Sequence, residues 1–269
     1  MRAQSCLAVL TLGLLAARSE GAAWPARVTP DSYDAGGHRI EVDHFEPKKG
    51  AVAKGAAVVL YGAGGMIFDG PRIRRVAQAL AEDGYDVSLI HYFNRTGTLV
   101  TRDHMMQQNF TVWLDTVRQG IEHARSTHGQ GRSVYVYGYS LGAFLAIAAA
   151  SDNPGVAAVA EHAGGIWNNQ GERIGRMPPV LIIHGGLDQR VPLDQYARPL
   201  QAELQRRKGS VKTHFYGQEG HIFSSTALLD VQREVPQFFD AHQGRKDSVA
   251  GPNRSVNGGR GERESSIAR

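Results

Sequence analysis

Residues 134–147 restrict the fold more than any other stretch of the chain. Val134 to Tyr139 is an apolar, aromatic run suited to a buried strand, and Leu141 to Ile147 is a Leu/Ala/Ile run suited to a helix. Between them stands Gly138-Tyr139-Ser140-Leu141-Gly142, a G-x-S-x-G pentapeptide. A strand that turns sharply into a helix puts its apex residue in a strained backbone conformation and presents the apex side chain to solvent. Side chains at positions 138 and 142 would crowd such a turn, and glycine removes the conflict. Strand, motif and helix agree here, so Ser140 is read as a nucleophile at a strand-to-helix elbow rather than as an ordinary serine in a glycine-rich turn.

The rest of the chain supplies elements that can flank such an elbow. Residues 24–38 are rich in Pro, Asp and Gly and read as irregular. Residues 39–45 alternate apolar and polar, as a half-buried edge strand does. Ala56–Tyr61 and Pro179–His184 are continuous apolar runs, suited to strands buried on both faces. Further strands are expected at 85–93, 156–160 and 211–216. Helical spacing marks 73–81, 105–126, 193–208 and 225–241, the last with Leu228, Leu229, Val231, Val235 and Phe238 inward. Pro199 either kinks the third of these helices or marks its true start. The polar segment 94–108 is a candidate rim for a substrate pocket. The alternation argues for an α/β fold: a mostly parallel sheet with helices on both faces, a three-layer architecture. Ligands bind such sheets beyond the carboxyl ends of the strands. Ser140, Asp188 and His221 all fall in strand-end loops.

A serine hydroxyl needs a base within hydrogen-bond reach, and the base needs an orienting carboxylate. Histidine suits the first role because it titrates near neutrality. The chain holds 11 histidines, so position must choose among them. His221 lies in a Gly-bracketed loop after the last strand, free to swing over the elbow. His214 is mid-strand. His91, His162 and His184 sit at strand ends, where they could line a site, but no spacing among them fixes a metal-ligand set. Asp188, in Gly185-Gly186-Leu187-Asp188, follows a buried strand and is the orienting acid, with Glu161 as its rival and Asp194 as a helix cap. The order Ser140, Asp188, His221 is the one expected of an elbow nucleophile. Gly62-Ala63-Gly64-Gly65, directly after the first buried strand, lacks a Walker lysine and a G-x-G-x-x-G spacing. Its small residues suit it to aim backbone N–H groups at developing negative charge.

These residues together resemble the α/β-hydrolase superfamily, and most closely its dienelactone-hydrolase-like branch, over residues 39–241. The resemblance rests on the elbow, on His184 through Pro192, and on Glu219-Gly220-His221-Ile222-Phe223. It implies an α/β-hydrolase fold with little or no lid and a Ser140–Asp188–His221 triad. It also implies that Leu141 N–H is one oxyanion donor, with a second from Ala63 or Gly64. The branch is named for enzymes with a cysteine nucleophile; here that position is Ser140, and Tyr61 stands where many relatives carry histidine. The expected activity is cleavage of small carboxylic esters through an acyl-enzyme, without a cofactor or metal. An amidase or peptidase using the same triad, or a non-catalytic binding protein on the same scaffold, are the alternatives.

Charge and the termini bound the partners. Six Lys/Arg against three acids in residues 243–269, and two against one in residues 1–23, account for the whole formal +4. The neutral body in between has no electrostatic footprint for nucleic acid. Arg2, the apolar run Leu7–Ala17 and the small residues Gly21-Ala22-Ala23 read as a secretory signal cleaved before Trp24. The run is too short to span a bilayer. The only cysteine, Cys6, lies inside the signal, so the mature chain would use no disulfide and no thiol nucleophile. The expected organisation is a signal peptide at 1–23, one α/β-hydrolase domain at 24–242 and a disordered tail at 243–269, in a secreted or periplasmic protein with no membrane span in its mature form.

Overall fold

The structure is a computed structural model that describes residues 26–47, 52–130, 132, 134–167 and 174–243. The expected signal peptide at 1–23 and all but the first residue of the expected tail at 243–269 lie outside the described residues. In chain order the elements are β1 (Val28–Ala35), β2 (His38–Phe45), β3 (Ala56–Leu60), α1 (Gly65–Phe68), α2 (Gly70–Glu82), β4 (Asp86–Ile90) and a 3-10 turn (Tyr92–Thr96). They continue with α3 (Asp103–Thr127), β5 (Val134–Tyr139), α4 (Leu141–Ala150), β6 (Val156–His162), β7 (Val180–Gly185), α5 (Ala197–Arg206), β8 (Val211–Tyr216) and α6 (Ser225–Asp240).

The eight strands form one sheet in the order β1-β2-β4-β3-β5-β6-β7-β8. β2 runs antiparallel to both neighbours, and β4 to β8 with β3 are mutually parallel. Parallel strands need crossover connections, and those crossovers place helices on the faces of the sheet. Helix α2 packs with α6, and α3 with α4, which produces the three layers expected. Every residue of β3, β5 and β7 is buried, the outcome that their unbroken apolar runs require. Among the described residues no inserted domain covers the carboxyl end of the sheet, which leaves that end open, as the expected arrangement with little or no lid does.

Several boundaries differ from the sequence expectation, each for a physical reason. Residues 24–38 are not all irregular. Val28–Ala35 is the true edge strand, joined to β2 through a tight turn at Gly36 and Gly37 and paired from Val28↔Phe45 to Ala35↔His38. Its side chains are exposed or half-buried except for Ala35 and carry no apolar alternation, so hydrophobic pattern could not reveal it. Helix α3 starts at Asp103 rather than 105, and the loop before it is shortened by the 3-10 turn at Tyr92–Thr96. Trp113 of α3 is fully buried and donates its indole N–H to Thr96 Oγ1 at 2.9 Å, which ties that turn to the helix. Helix α5 begins at Ala197, so Pro199 lies in its first turn, where a missing N–H has no helical partner to lose. Asp194 does not cap it; Tyr196 occupies the cap, and Asp194 accepts from Arg198 Nε at 2.6 Å. In α6, Leu229 is 57 % exposed, while Phe239 takes the inward position beside Leu228, Val231, Val235 and Phe238. Positions 228, 231, 235, 238 and 239 lie on one helical stripe, and 229 is rotated out of it.

Candidate active site

The elbow forms as the pentapeptide demands. β5 ends at Tyr139, α4 begins at Leu141, and Ser140 between them has φ 53° and ψ −120°. A non-glycine residue in that region costs about 1–3 kcal/mol and is held only by its surroundings. Here Ser140 N–H donates to His162 O at 2.8 Å, and Ser140 O accepts from Ala143 N–H at 2.8 Å. The flanking glycines are sterically required. A Cβ on Gly138 would lie 2.2 Å from Gly142 O, and one on Gly142 would lie 2.5 Å from Tyr61 O.

The structure brings Ser140, His221 and Asp188 together. His221 Nε2 lies 3.0 Å from Ser140 Oγ, and His221 Nδ1 lies 2.8 Å from Asp188 Oδ2. Asp188 is buried by the β7 loop, and its other oxygen, Oδ1, accepts from Arg190 N–H at 2.9 Å and Val191 N–H at 2.8 Å. Two backbone donors on Oδ1 and two imidazoles on Oδ2, those of His221 and His184, therefore fix the carboxylate plane. Burial pushes the Asp188 carboxyl up, but hydrogen bonds from His184, His221 and the Val191 N–H outweigh it and hold the group well below the usual carboxylate range.

His221 is anchored from behind. Tyr139 OH donates to His221 O at 3.0 Å and accepts from Arg72 Nη1 at 2.7 Å, with the Arg72 guanidinium 5.2 Å from the Tyr139 ring centre. The residue next to Ser140 thus holds the His221 loop, and α2 holds that residue. Nothing in the spacing of Arg72 or Tyr139 signals this link, because it joins three elements far apart in the chain.

The Gly62–Gly65 loop is wrapped around a carboxylate. Asp69 Oδ2 accepts Gly64 N–H at 3.0 Å and also faces the Gly62 N–H. Burial raises the Asp69 carboxyl, against the lowering pull of Arg72 and these N–H groups. Gly64 N–H is therefore engaged, which removes it as a free donor. Ala63 N–H has no partner among the described residues, and its carbonyl is fixed by Thr101 N–H at 2.9 Å. Leu141 N–H stands at the first position of α4, where helical N–H groups have no internal acceptor. Ala63, Leu141 and Ser140 border one cavity of about 210 Å³, walled by Phe144, Trp167 and Tyr196. Phe144 stacks on Trp167 at 4.7 Å and meets Tyr196 edge-on at 5.6 Å. Arg190 and Asp103 form an ion pair at its rim, joining the Asp188 loop to the start of α3. A larger cleft of about 570 Å³ lies between Gly175–Pro179 and Leu204–Ser210. That cleft is at the amino ends of β7 and β8, away from Ser140.

The remaining sequence candidates fall elsewhere. Glu161 does not reach His221. It is fully buried, accepts Gly164 N–H at 3.0 Å, and burial raises its carboxyl to about 7 against the opposing pull of His184. His184 is a second imidazole on the acid: its Nε2 lies 3.4 Å from Asp188 Oδ2 and 2.8 Å from Val191 O. His162 is buried beside Tyr137, whose OH is 2.8 Å from its Nδ1, and burial lowers its pKa to about 3, so it is neutral. His91 pairs with Asp43 at 3.1 Å, apart from the other two, and His214 pairs with Glu234 at 2.6 Å. Sequence order could nominate Ser140, Asp188 and His221; it held no signal for Asp69, Arg72 or His184 as their supports.

Experimental structures with this fold include a dienelactone hydrolase from Anabaena variabilis (18 % identity, TM-score 0.63), with 82 % of this chain and 100 % of that one covered. A promiscuous dienelactone hydrolase-like phosphotriesterase from metagenomic libraries superposes with TM-score 0.69 at 16 % identity, over 82 % and 100 % of the two chains. A lidless α/β serine hydrolase from Xanthomonas campestris gives 0.63 at 18 % identity, over 82 % and 97 %. Among curated proteins, none matches the chain by sequence. The family model described as the dienelactone hydrolase family matches residues 40–234, a span that contains the elbow, the Asp188 loop and the His221 loop. With that match over most of its length, the chain belongs to the dienelactone hydrolase family of α/β hydrolases.

Proposed function

We propose that the protein is a serine carboxylesterase for small substrates, working through Ser140, His221 and Asp188. The observation that carries this reading is the continuous hydrogen-bond line from Asp188 Oδ2 through His221 to Ser140 Oγ, with links of 2.8 and 3.0 Å. His221 Nε2 takes the Ser140 proton as Oγ attacks the acyl carbon, and Asp188 stabilises the imidazolium. The oxyanion is held by the N–H groups of Leu141 and Ala63; each such donor is worth about 10²–10³ in turnover. His221 then protonates the leaving alcohol, and water, activated by the same imidazole, releases the acid. Ground-state binding in a cavity of about 210 Å³, below the usual range of about 300–1,000 Å³ for drug-sized ligands, favours short acyl groups.

The test is turnover of p-nitrophenyl esters from acetate to octanoate, beside the matching acyl anilides and a fluorophosphonate label. Expected are hydrolysis of the short esters, covalent labelling at Ser140, and loss of both in Ser140→Ala. Labelling with faster anilide than ester turnover would make the protein an amidase. Absence of labelling would make it a binding protein on a hydrolase scaffold.

A further inference from the structure

At the far end of the sheet from Ser140, five side chains from β1, β2, β4 and the end of α3 converge: Asp31, His44, Asp86, His123 and His128. Asp86 is the first residue of β4, paired with the first residue of β3, so this is the amino end of the parallel strands. Asp31 Oδ2 lies 2.7 Å from His123 Nε2 and 3.1 Å from His128 Nε2, and all three atoms are within 4.8 Å of one another. We propose that Asp31, His123 and His128 form a binding site for a divalent transition metal of the zinc class, separate from the catalytic centre.

Three features distinguish this group from a chance ion pair. The first is donor type: two imidazoles and one carboxylate match zinc-class ions and not Ca²⁺ or Mg²⁺, which take oxygen donors. The second is spacing. Tetrahedral donors about 2.0–2.1 Å from zinc stand roughly 3.3 Å apart, so the observed 2.7 and 3.1 Å contacts need to widen by about 0.6 and about 0.2 Å. The third is the outer shell. Asp31 Oδ1, facing away from the group, accepts Ser32 N–H at 2.7 Å. His123 Nδ1 lies 3.5 Å from Thr127 Oγ1, and His128 Nδ1 lies 3.7 Å from Asp86 Oδ1. Each donor thus has a polar group behind it, which is how ligating imidazoles and carboxylates are oriented toward an ion. The side chains are only partly exposed, at 19 %, 12 % and 26 % for His123, His128 and Asp31, which leaves an opening for the ion and a fourth, exchangeable ligand.

His44 and Asp86 form the competing set. His44 Nε2 lies 2.5 Å from Asp86 Oδ1, His44 Nδ1 lies 3.1 Å from Thr29 Oγ1, and the His44 ring stacks on His128 at 4.0 Å. His44 shares its group with Asp86 and His128 and is not among the three residues, Asp31, His123 and His128, whose ligand atoms converge. The stack holds the His128 ring in place, and Asp86 gives its short contact to His44 while standing 3.7 Å from His128 Nδ1, so His44 and Asp86 are support rather than ligands.

The experiment is isothermal titration of Zn²⁺ into the untagged, EDTA-treated full chain, with Co²⁺ absorption as a geometry probe. Expected is one Zn²⁺ per chain and the visible bands of four-coordinate Co²⁺. Asp31→Asn and His123→Gln should each weaken binding by at least about tenfold, whereas His44→Ala should leave the 1:1 stoichiometry and change affinity less than either. Circular dichroism identical to that of the wild type separates lost binding from lost fold, and the near-isosteric Asp31→Asn guards against a His123→Gln chain that fails to fold. Absence of a 1:1 event, unchanged affinity in both ligand variants, or a loss on His44→Ala as large as theirs would each overturn the assignment.

Discussion

Replacing Asp188 by asparagine tests the proposed mechanism at its most specific point. The carboxylate has two distinguishable oxygens. Oδ1 accepts two backbone N–H groups at 2.8 and 2.9 Å, and Oδ2 faces His221 Nδ1 at 2.8 Å. An asparagine must keep its carbonyl oxygen where the two N–H donors are, because an NH₂ group there would meet donor against donor. Its NH₂ therefore faces His221 Nδ1. The imidazole can answer only by moving its proton to Nε2, which then donates toward Ser140 and can no longer accept. The base is lost although every atom stays in place. Trapping the wrong tautomer in this way costs about 10⁴ in kcat, or about 5 kcal/mol of transition-state stabilisation. Steady-state hydrolysis of p-nitrophenyl acetate measures it, with Tm recorded alongside to show that the fold persists. Glu161→Gln is the control: Glu161 bonds to Gly164 N–H and not to His221, so its activity should stay within about tenfold of wild type. Retention of near-wild-type activity in Asp188→Asn, or a larger loss in Glu161→Gln, would refute the argument and move the orienting role to Glu161.

Other consequences follow from the same contacts. Glu161 has its folded pKa raised from 4.5 to about 7, so between those values the unfolded chain binds fewer protons than the folded one, and stability falls as pH rises through that window. The fall reaches up to about 3 kcal/mol, and it should be smaller in Glu161→Gln when Tm is followed from pH 4.5 to 7.5. Gly142→Ala would bring a Cβ to 2.5 and 2.6 Å of the Tyr61 and Leu60 carbonyl oxygens; overpacking against backbone should cost roughly 2–3 kcal/mol, read by denaturant titration. Tyr139→Phe removes the hydroxyl between Arg72 and His221 O. It should cost about 1 kcal/mol of stability and lower kcat by about threefold to tenfold with little change in KM, through a looser base. If residues 1–23 are a cleaved leader, N-terminal sequencing of the exported protein should begin near Trp24, and a retained Met1 would refute cleavage.

That Ser140, Asp188 and His221 would come together was legible in the sequence because their signals are local. Gly138 and Gly142 report how closely the chain must pass itself at the elbow. Unbroken apolar runs at 56–60 and 180–183 report burial on both faces of a strand. Asp188 and His221 are marked by the loops that follow such strands. These are properties of a few consecutive residues, so composition and spacing carry them. The supports of the site are relations between distant segments, and only the folded chain decides them. Asp69 claims Gly64 N–H and so leaves Ala63 as the free donor; Arg72 reaches Tyr139, and Tyr139 reaches the carbonyl of His221; His184 shares the Asp188 carboxylate. β1 was missed because an edge strand with an exposed face buries too little to show a pattern. The cluster of Asp31, His123 and His128 was missed because its members are scattered over about a hundred residues, and only the packing of α3 against the edge of the sheet brings their ligand atoms within reach of one ion.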